Sequence, residues 1–313
     1  AGVLAGSAGL PPAAALPGAL SATAHSLIGS ALARAWRRAD DAPATNAEDE
    51  SELDIWRAAA YGNVDAMKRM IDADEGCVNA PDGSGFRALQ WAALNNRVAA
   101  ATLLLERGSS INAGDNDGQT ALHWACVRGS LPCAELLLRK GAELNAADSR
   151  GYVPLHVAAQ YGHTGMIYHF KMRWNIDVDV TDHDGRTALH WAAAEGHLPA
   201  VRWLVQRPDI NLDAVDADGC TALWAAAYNG EYHCALWILS KGPNLELRGK
   251  ASTTASCTPC NAARSQRNPT IADAIDAELE LRRQDPKRVA SLKSGNIDYE
   301  DFREDLRSIS KNR

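Results

Sequence analysis

The apolar positions of this chain recur on a step much longer than a helix turn. Leu89, Leu122, Leu155, Leu189 and Leu223 sit in matching contexts at intervals of 33, 33, 34 and 34 residues. A glycine keeps step ahead of each of them, at Gly85, Gly118, Gly151, Gly185 and Gly219. A second series follows a pair of small residues, at Gly62, Asn96, Gly129, Gly162, Gly196 and Gly230. Within one period the polar run DNDGQT (115–120) gives way to ALHWACVR (121–128), and then to LPCAELLLRKG (131–141). The pattern predicts a turn, a short helix and a second helix, repeated along the chain.

Each piece has a local cause. Asp and Asn bond their own backbone in a turn, and Gly supplies the positive φ that the turn needs. Thr120 and Thr187 stand where a helix start calls for a hydroxyl cap. Paired small residues allow close stacking, Gly129 or Gly196 ends the first helix, and Pro132 suits the first turn of the second. A single unit is too small to bury its own apolar face, so neighbours must share one continuous core. Spaced Asp-x-x-Gly-x-Thr-x-Leu-His-x-Ala on a period of 33, the chain resembles the ankyrin repeat. That resemblance implies an all-α repeat solenoid with β-hairpin-like turns and about six to seven repeats. A degenerate first unit is expected near 53–80, five clear units over 81–250, and a last unit starting at TPCNAARSQ (258–266) and closing on a polar capping helix, IADAIDAELELRR (271–283). The alternating charges of 284–313 suggest a flexible or weakly helical tail.

Composition narrows the function. With 46% apolar residues the chain can fill a core, and its net charge of −7 argues against a nucleic-acid partner. The seven cysteines are odd in number and irregularly spaced, which fits a reducing, cytoplasmic setting better than a disulfide framework. No run reads as a membrane span. Residues 1–52 form an expected leader: the first 33 carry no Asp, Glu, Lys or Arg, are rich in Ala and Gly, and are broken by Pro11, Pro12 and Pro17. A disordered low-complexity segment is the plain reading. An acid-poor start followed by Arg34, Arg37 and Arg38 also suits an organelle transit segment. A first residue of Ala rather than Met points to a fragment or a processed product.

Candidate chemistry is thin. His156/His163 and His190/His197 lie seven apart, but each pair follows the repeat and Gln90 replaces one histidine, so the ring nitrogens are expected on backbone groups of the adjacent turn rather than on zinc. Cys257-Thr-Pro-Cys260 is a lone CxxC, with Cys260 at the position of the core Leu. DNDG and DHDG resemble pieces of a calcium loop, yet its final ligand positions would fall on Trp124 and Trp191. There is no nucleophile elbow and no phosphate loop. No cofactor, metal or catalytic residue is expected.

What remains is surface. The residue before each helix-ending Gly or Asn forms a column of Tyr61, Asn95, Arg128, Tyr161, Glu195 and Asn229. Rings, amides and charges in one strip suit an extended peptide. Trp91, Trp124 and Trp191 are expected to be buried between helices, Trp191 in the core; an edge reaching the groove, above all at Trp124, would make a natural anchor. A partner on the turn tips, near Arg150 and Arg186, is the competing surface.

ALQWAALNNRV (88–98), TALHWACVRG (120–129), HVAAQYGHT (156–164) and RWNIDVDVTDHDGRTALHWAA (173–193) are similar to the N-terminal ankyrin domain of DHHC-type protein S-acyltransferases, the plant and algal members above all. The resemblance covers about 53–285. It implies recruitment of Pro-containing substrate segments for S-palmitoylation, with Asn95 holding peptide backbone and Trp124 packing the Pro ring. Tyr161, Arg128 and Glu195 join the site from the column. It also implies the cytosolic face of Golgi or other endomembranes. The family's catalytic membrane domain, with its Asp-His-His-Cys motif, has no counterpart in these residues. Either the chain is a fragment of a full-length palmitoyltransferase or it is a stand-alone ankyrin protein that kept the recruiting half; a peptide-binding monomer with no catalytic motif in these residues is the resulting expectation.

Overall fold

A computed structural model describes residues 53–247 and 258–311. The expected leader and Cys257 lie outside the described residues. Among the described residues seven helix pairs follow one another: α1 (Ile55–Tyr61) with α2 (Val64–Ala73), α3 (Ala88–Leu94) with α4 (Val98–Glu106), and α5 (Ala121–Arg128) with α6 (Leu131–Arg139). Next come α7 (Pro154–Gln160) with α8 (Thr164–Trp174), α9 (Ala188–Ala194) with α10 (Leu198–Leu204), α11 (Ala222–Asn229) with α12 (Tyr232–Leu239), and α13 (Pro259–Ser265) with α14 (Pro269–Gln284). First helices stack on first helices along the whole array. Among the described residues no β-strand forms, only an isolated antiparallel bridge between Val215 and Thr221.

The small-residue pairs make that stacking possible. Ala92–Ala93, Ala125–Cys126, Ala158–Ala159 and Ala192–Ala193 are completely buried where one first helix meets the next. The recurrent leucines complete a core that runs through every repeat. Asn96 and Asn175 stand in for glycine at two helix ends and adopt φ of 56° and 51°, the left-handed region that Asn tolerates best after Gly.

Residues 284–311 depart from the flexible or weakly helical tail expected there. Two further helices, α15 (Arg288–Lys293) and α16 (Tyr299–Lys311), follow the last pair, and α16 packs on α14. Tyr299, Phe302, Leu306 and Ile309 recur at spacings of three and four beneath the charges, and Phe302 is fully buried. The Tyr299 ring stacks on Trp237 of α12 at 4.0 Å, and Arg288 donates to Glu278 of α14 at 3.0 Å and to Asp305 of α16 at 2.8 Å. The alternating charges thus cover an amphipathic helix.

Candidate functional site

The paired His-Trp residues turn out to be two ends of one bonding scheme. In each turn an Asp folds the chain: one oxygen of Asp115 accepts the backbone N–H groups of Asp117 and Gln119, both at 3.0 Å. Its other oxygen accepts the indole N–H of Trp124 at 2.8 Å. Trp91 and Trp191 donate to Asp82 and Asp182 in the same way, each at 3.1 Å. The histidine one residue earlier reaches forward. His123 Nε2 donates to the carbonyl of Tyr152 in the next turn at 2.9 Å, while its Nδ1 accepts the backbone N–H of Thr120 at 3.1 Å. His156 and His190 repeat this toward Val180 and Cys220. Tryptophan therefore ties the helix to its own turn, and histidine ties it to the following one.

Both ring nitrogens are occupied, and burial depresses the pKa of all three histidines, that of His190 to about 4, so they stay neutral. Gln90 does the same work without a titrating ring: its Oε1 accepts the N–H of Arg87 and its Nε2 donates to Gln119. Where the histidine gives way to Trp224 and Asn261, the Thr hydroxyl caps the helix, accepting those residues' N–H groups at 3.2 and 3.4 Å. Beside Thr120 and Thr187 the hydroxyl instead lies 2.9 Å from the histidine Nδ1.

A second ladder of hydrogen bonds links the repeats. Arg97, Ser130, His163 and His197, at the starts of successive second helices, donate to Ala60, Leu94, Val127 and Gln160, the last carbonyls of the preceding first helices. Those carbonyls lack partners inside their own helices, so the bonds close each first helix against the next repeat. The variety of residue types at this position hid it in the sequence.

The expected site residues divide. Asn95 and Arg128 meet across neighbouring repeats, Arg128 Nη1 donating to Asn95 Oδ1 at 2.9 Å, and Asn95 Nδ2 donates to the carbonyl of Trp91 at 3.0 Å. Arg128 is exposed; Asn95, Tyr161 and Glu195 are partly so. The phenol of Tyr161 has its pKa raised by burial and by the Glu195 carboxylate, with Arg150 opposing, so these three side chains share one electrostatic neighbourhood. Asn229 donates to Ala194 at 2.9 Å, continuing the column.

Trp124 is the correction. Its indole is 2% exposed, its N–H is bound to Asp115, and its ring lies 4.7 Å from Phe86, so no edge reaches a groove. Trp191 is equally closed, beside Tyr152. At the turn tips, Arg150 lies over the Tyr152 ring and 3.5 Å from Asp148, and Arg186 bonds Asp184 at 3.2 Å beneath Trp191. Cys260 is buried, and desolvation, aided by an Asp276 oxygen at 3.2 Å, pushes its thiol up to about 12. Among the described residues no group of His, Cys, Asp and Glu is arranged to hold a metal. No helix among them is long and apolar enough to cross a membrane.

The family model for ankyrin repeats, in three copies, matches residues 44–115, 109–170 and 155–248, well over half of the chain. The chain belongs to the ankyrin-repeat family. Its array resembles the ankyrin repeat domain of Bcl-3, described as a unique member of the IkappaB protein family, at 26% identity and a TM-score of 0.57, covering 70% of this chain and 97% of that one. It also resembles the human ASB11 ankyrin repeat domain at 25% identity and a TM-score of 0.60, covering 70% and 96%. No curated protein matches the chain. Ankyrin repeats are protein–protein interaction modules, and proteins are the partner class this fold implies.

Proposed function

We propose that this ankyrin array binds an extended peptide segment of a protein partner along Asn95, Arg128, Tyr161 and Glu195. The observation that carries this is the bond from Arg128 to Asn95, which joins side chains of adjacent repeats into one strip beside the Tyr161–Glu195–Arg150 group. Such a strip offers amide groups to a peptide backbone, a ring to a Pro or apolar side chain, and charges of both signs. Trp124 stays a core residue in this reading. Binding of Pro-containing peptides, followed by fluorescence anisotropy, tests it. Tyr161→Ala or Arg128→Ala is expected to weaken binding by about 2 kcal/mol at an anchor, without loss of the folded signal. Parent-like binding by both variants would sink the proposal.

The finer reading is recruitment of substrates for protein S-palmitoylation. It is supported by the resemblance to the DHHC-type enzymes, which rests on the paired His-Trp motifs, on Asn95-Asn96-Arg97 and on the missing glycine at Trp174–Asn175. Using the indole of Trp124 would require it to leave Asp115. The test is S-acylation of a captured partner in cells making this protein: acylation that depends on Asn95 supports the reading, and an unacylated partner removes it.

A further inference from the structure

A cavity of about 260 Å³ opens between α1 and the turn of the second repeat, with Asp54, Trp56, Arg57, Tyr61, Asp82 and Trp91 in its lining. Two of its rings are held by their N–H groups: Trp56 donates to the carbonyl of Ala80 at 2.9 Å, and Trp91 to Asp82 at 3.1 Å. Trp56 is partly exposed and offers its π-surface to a ligand, while Trp91, 6% exposed, closes the wall behind it.

The carboxylates are placed by local structure too. Asp54 caps α1, accepting the N–H of Arg57 at 2.7 Å, and Asp82 folds its turn by accepting the N–H groups of Ser84 and Phe86. Both remain partly exposed, as do the equivalent turn residues Asp115 and Asp216, whereas Asp148 and Asp182 are buried. Helix caps at the equivalent of Asp54 in the later repeats are Arg87, Thr120, Val153, Thr187, Thr221 and Thr258, so the cap carboxylate is peculiar to this end. Arg57 offsets one of the two charges, with its Nε 4.0 Å from Asp54. Among the described lining residues two carboxylates stand against one guanidinium, a net negative balance.

Aromatic faces beside net negative charge favour a cation over an anion or a neutral chain of the same shape. Tyr61 also heads the column that continues through Asn95 and Arg128. We propose that this cavity receives a cationic side chain at one end of the bound peptide. The proposal rests on the groove reading for the rest of that peptide, while the cavity can be probed by itself.

The probe is Nα-acetyl-Nε-trimethyllysine amide, compared with its neutral isostere in which carbon replaces the quaternary nitrogen. Binding to the full chain is followed through the indole N–H resonances of Trp56 and Trp91. The cation is expected to shift both, at millimolar concentrations, and to bind about fivefold or more tightly than the isostere. Asp54→Asn, which keeps the helix cap, is expected to erase about that preference. Equal binding of cation and isostere, or shifts absent from these two indoles, overturns the proposal. If Pro-containing peptides bind and depend on Tyr161 but not on the Asp54 charge, the groove stands and the cation site fails. A probe that shifts both indoles in a protein that binds no peptide keeps the cation site and removes the groove.

Discussion

The indole N–H of Trp124 is bound at 2.8 Å to the carboxylate of Asp115, nine residues earlier, whose other oxygen holds the turn closed. One side chain thus needs two acceptor oxygens at once. Burial raises the Asp115 pKa, and the bonds from Trp124, Gln119 and Asp117 pull it down. Asp115→Asn keeps one oxygen and turns an N–H donor toward the turn or the indole. It is expected to destabilise by about 1–3 kcal/mol. A double-mutant cycle with Trp124→Phe in urea denaturation is expected to give a coupling of about 1 kcal/mol, and additive losses would show that the bond contributes nothing.

The buried histidines set a pH dependence whose sign is fixed. His190 titrates near 4 in the folded chain against 6.5 when free, and His123 and His156 are shifted in the same direction. Above pH 6.5 both folded and unfolded forms are neutral and the rings add no pH term. Below it the unfolded chain takes up protons that the folded chain refuses, so stability falls as pH drops from about 6.5 toward 4. For His190 the full loss is of the order of 3 kcal/mol. Gln90 already fills this role in the second repeat, so His190→Gln is expected to fold and to lose part of the acid sensitivity. Melting curves at pH 7 and pH 5 measure it; an unchanged difference between the two would contradict the assignment.

How much of this could be read from the sequence follows from periodicity. Helix pairs, turns and core leucines repeat, so each copy corroborates the others. The same regularity accounts for His123 and His190, whose partners recur with the period. The size of Trp124 suggests a partly exposed ring, whereas Asp115 nine residues back supplies the acceptor that lets the indole be buried. The cavity at Trp56 went unnoticed because the first repeat departs from the pattern. The α16 helix was hidden because Phe302 and Leu306 are outnumbered by the charges around them.

Two glycines separate backbone strain from crowding. Gly141 has φ of 96° with nothing within 4 Å of an added Cβ, so Gly141→Ala is expected to cost about 1–2 kcal/mol from the left-handed backbone alone. Gly129 has φ of 67°, and its Cβ would stand 2.5 Å from the His163 ring, which donates to Val127 at 3.0 Å. Gly129→Ala must strain the backbone and also displace that ring, so its loss is expected to exceed that at Gly141 by about 1 kcal/mol or more. Equal losses in a denaturant titration would mean that the His163 bond contributes little.

The C-terminal helices should melt as a local unit. Phe302 is completely buried, and Arg288 joins Glu278 to Asp305 at 5% exposure. Phe302→Ala removes a buried ring, at about 3–5 kcal/mol, and Arg288→Met strands the Glu278 carboxylate, which keeps only Arg282 at 2.8 Å. Stability in a solenoid passes between nearest neighbours, so the damage should concentrate at this end. Amide hydrogen exchange across 288–311 is expected to rise sharply in either variant, while α3 to α9 keep their protection. Loss of protection throughout the array would instead show that α16 is part of one cooperative unit with the repeats.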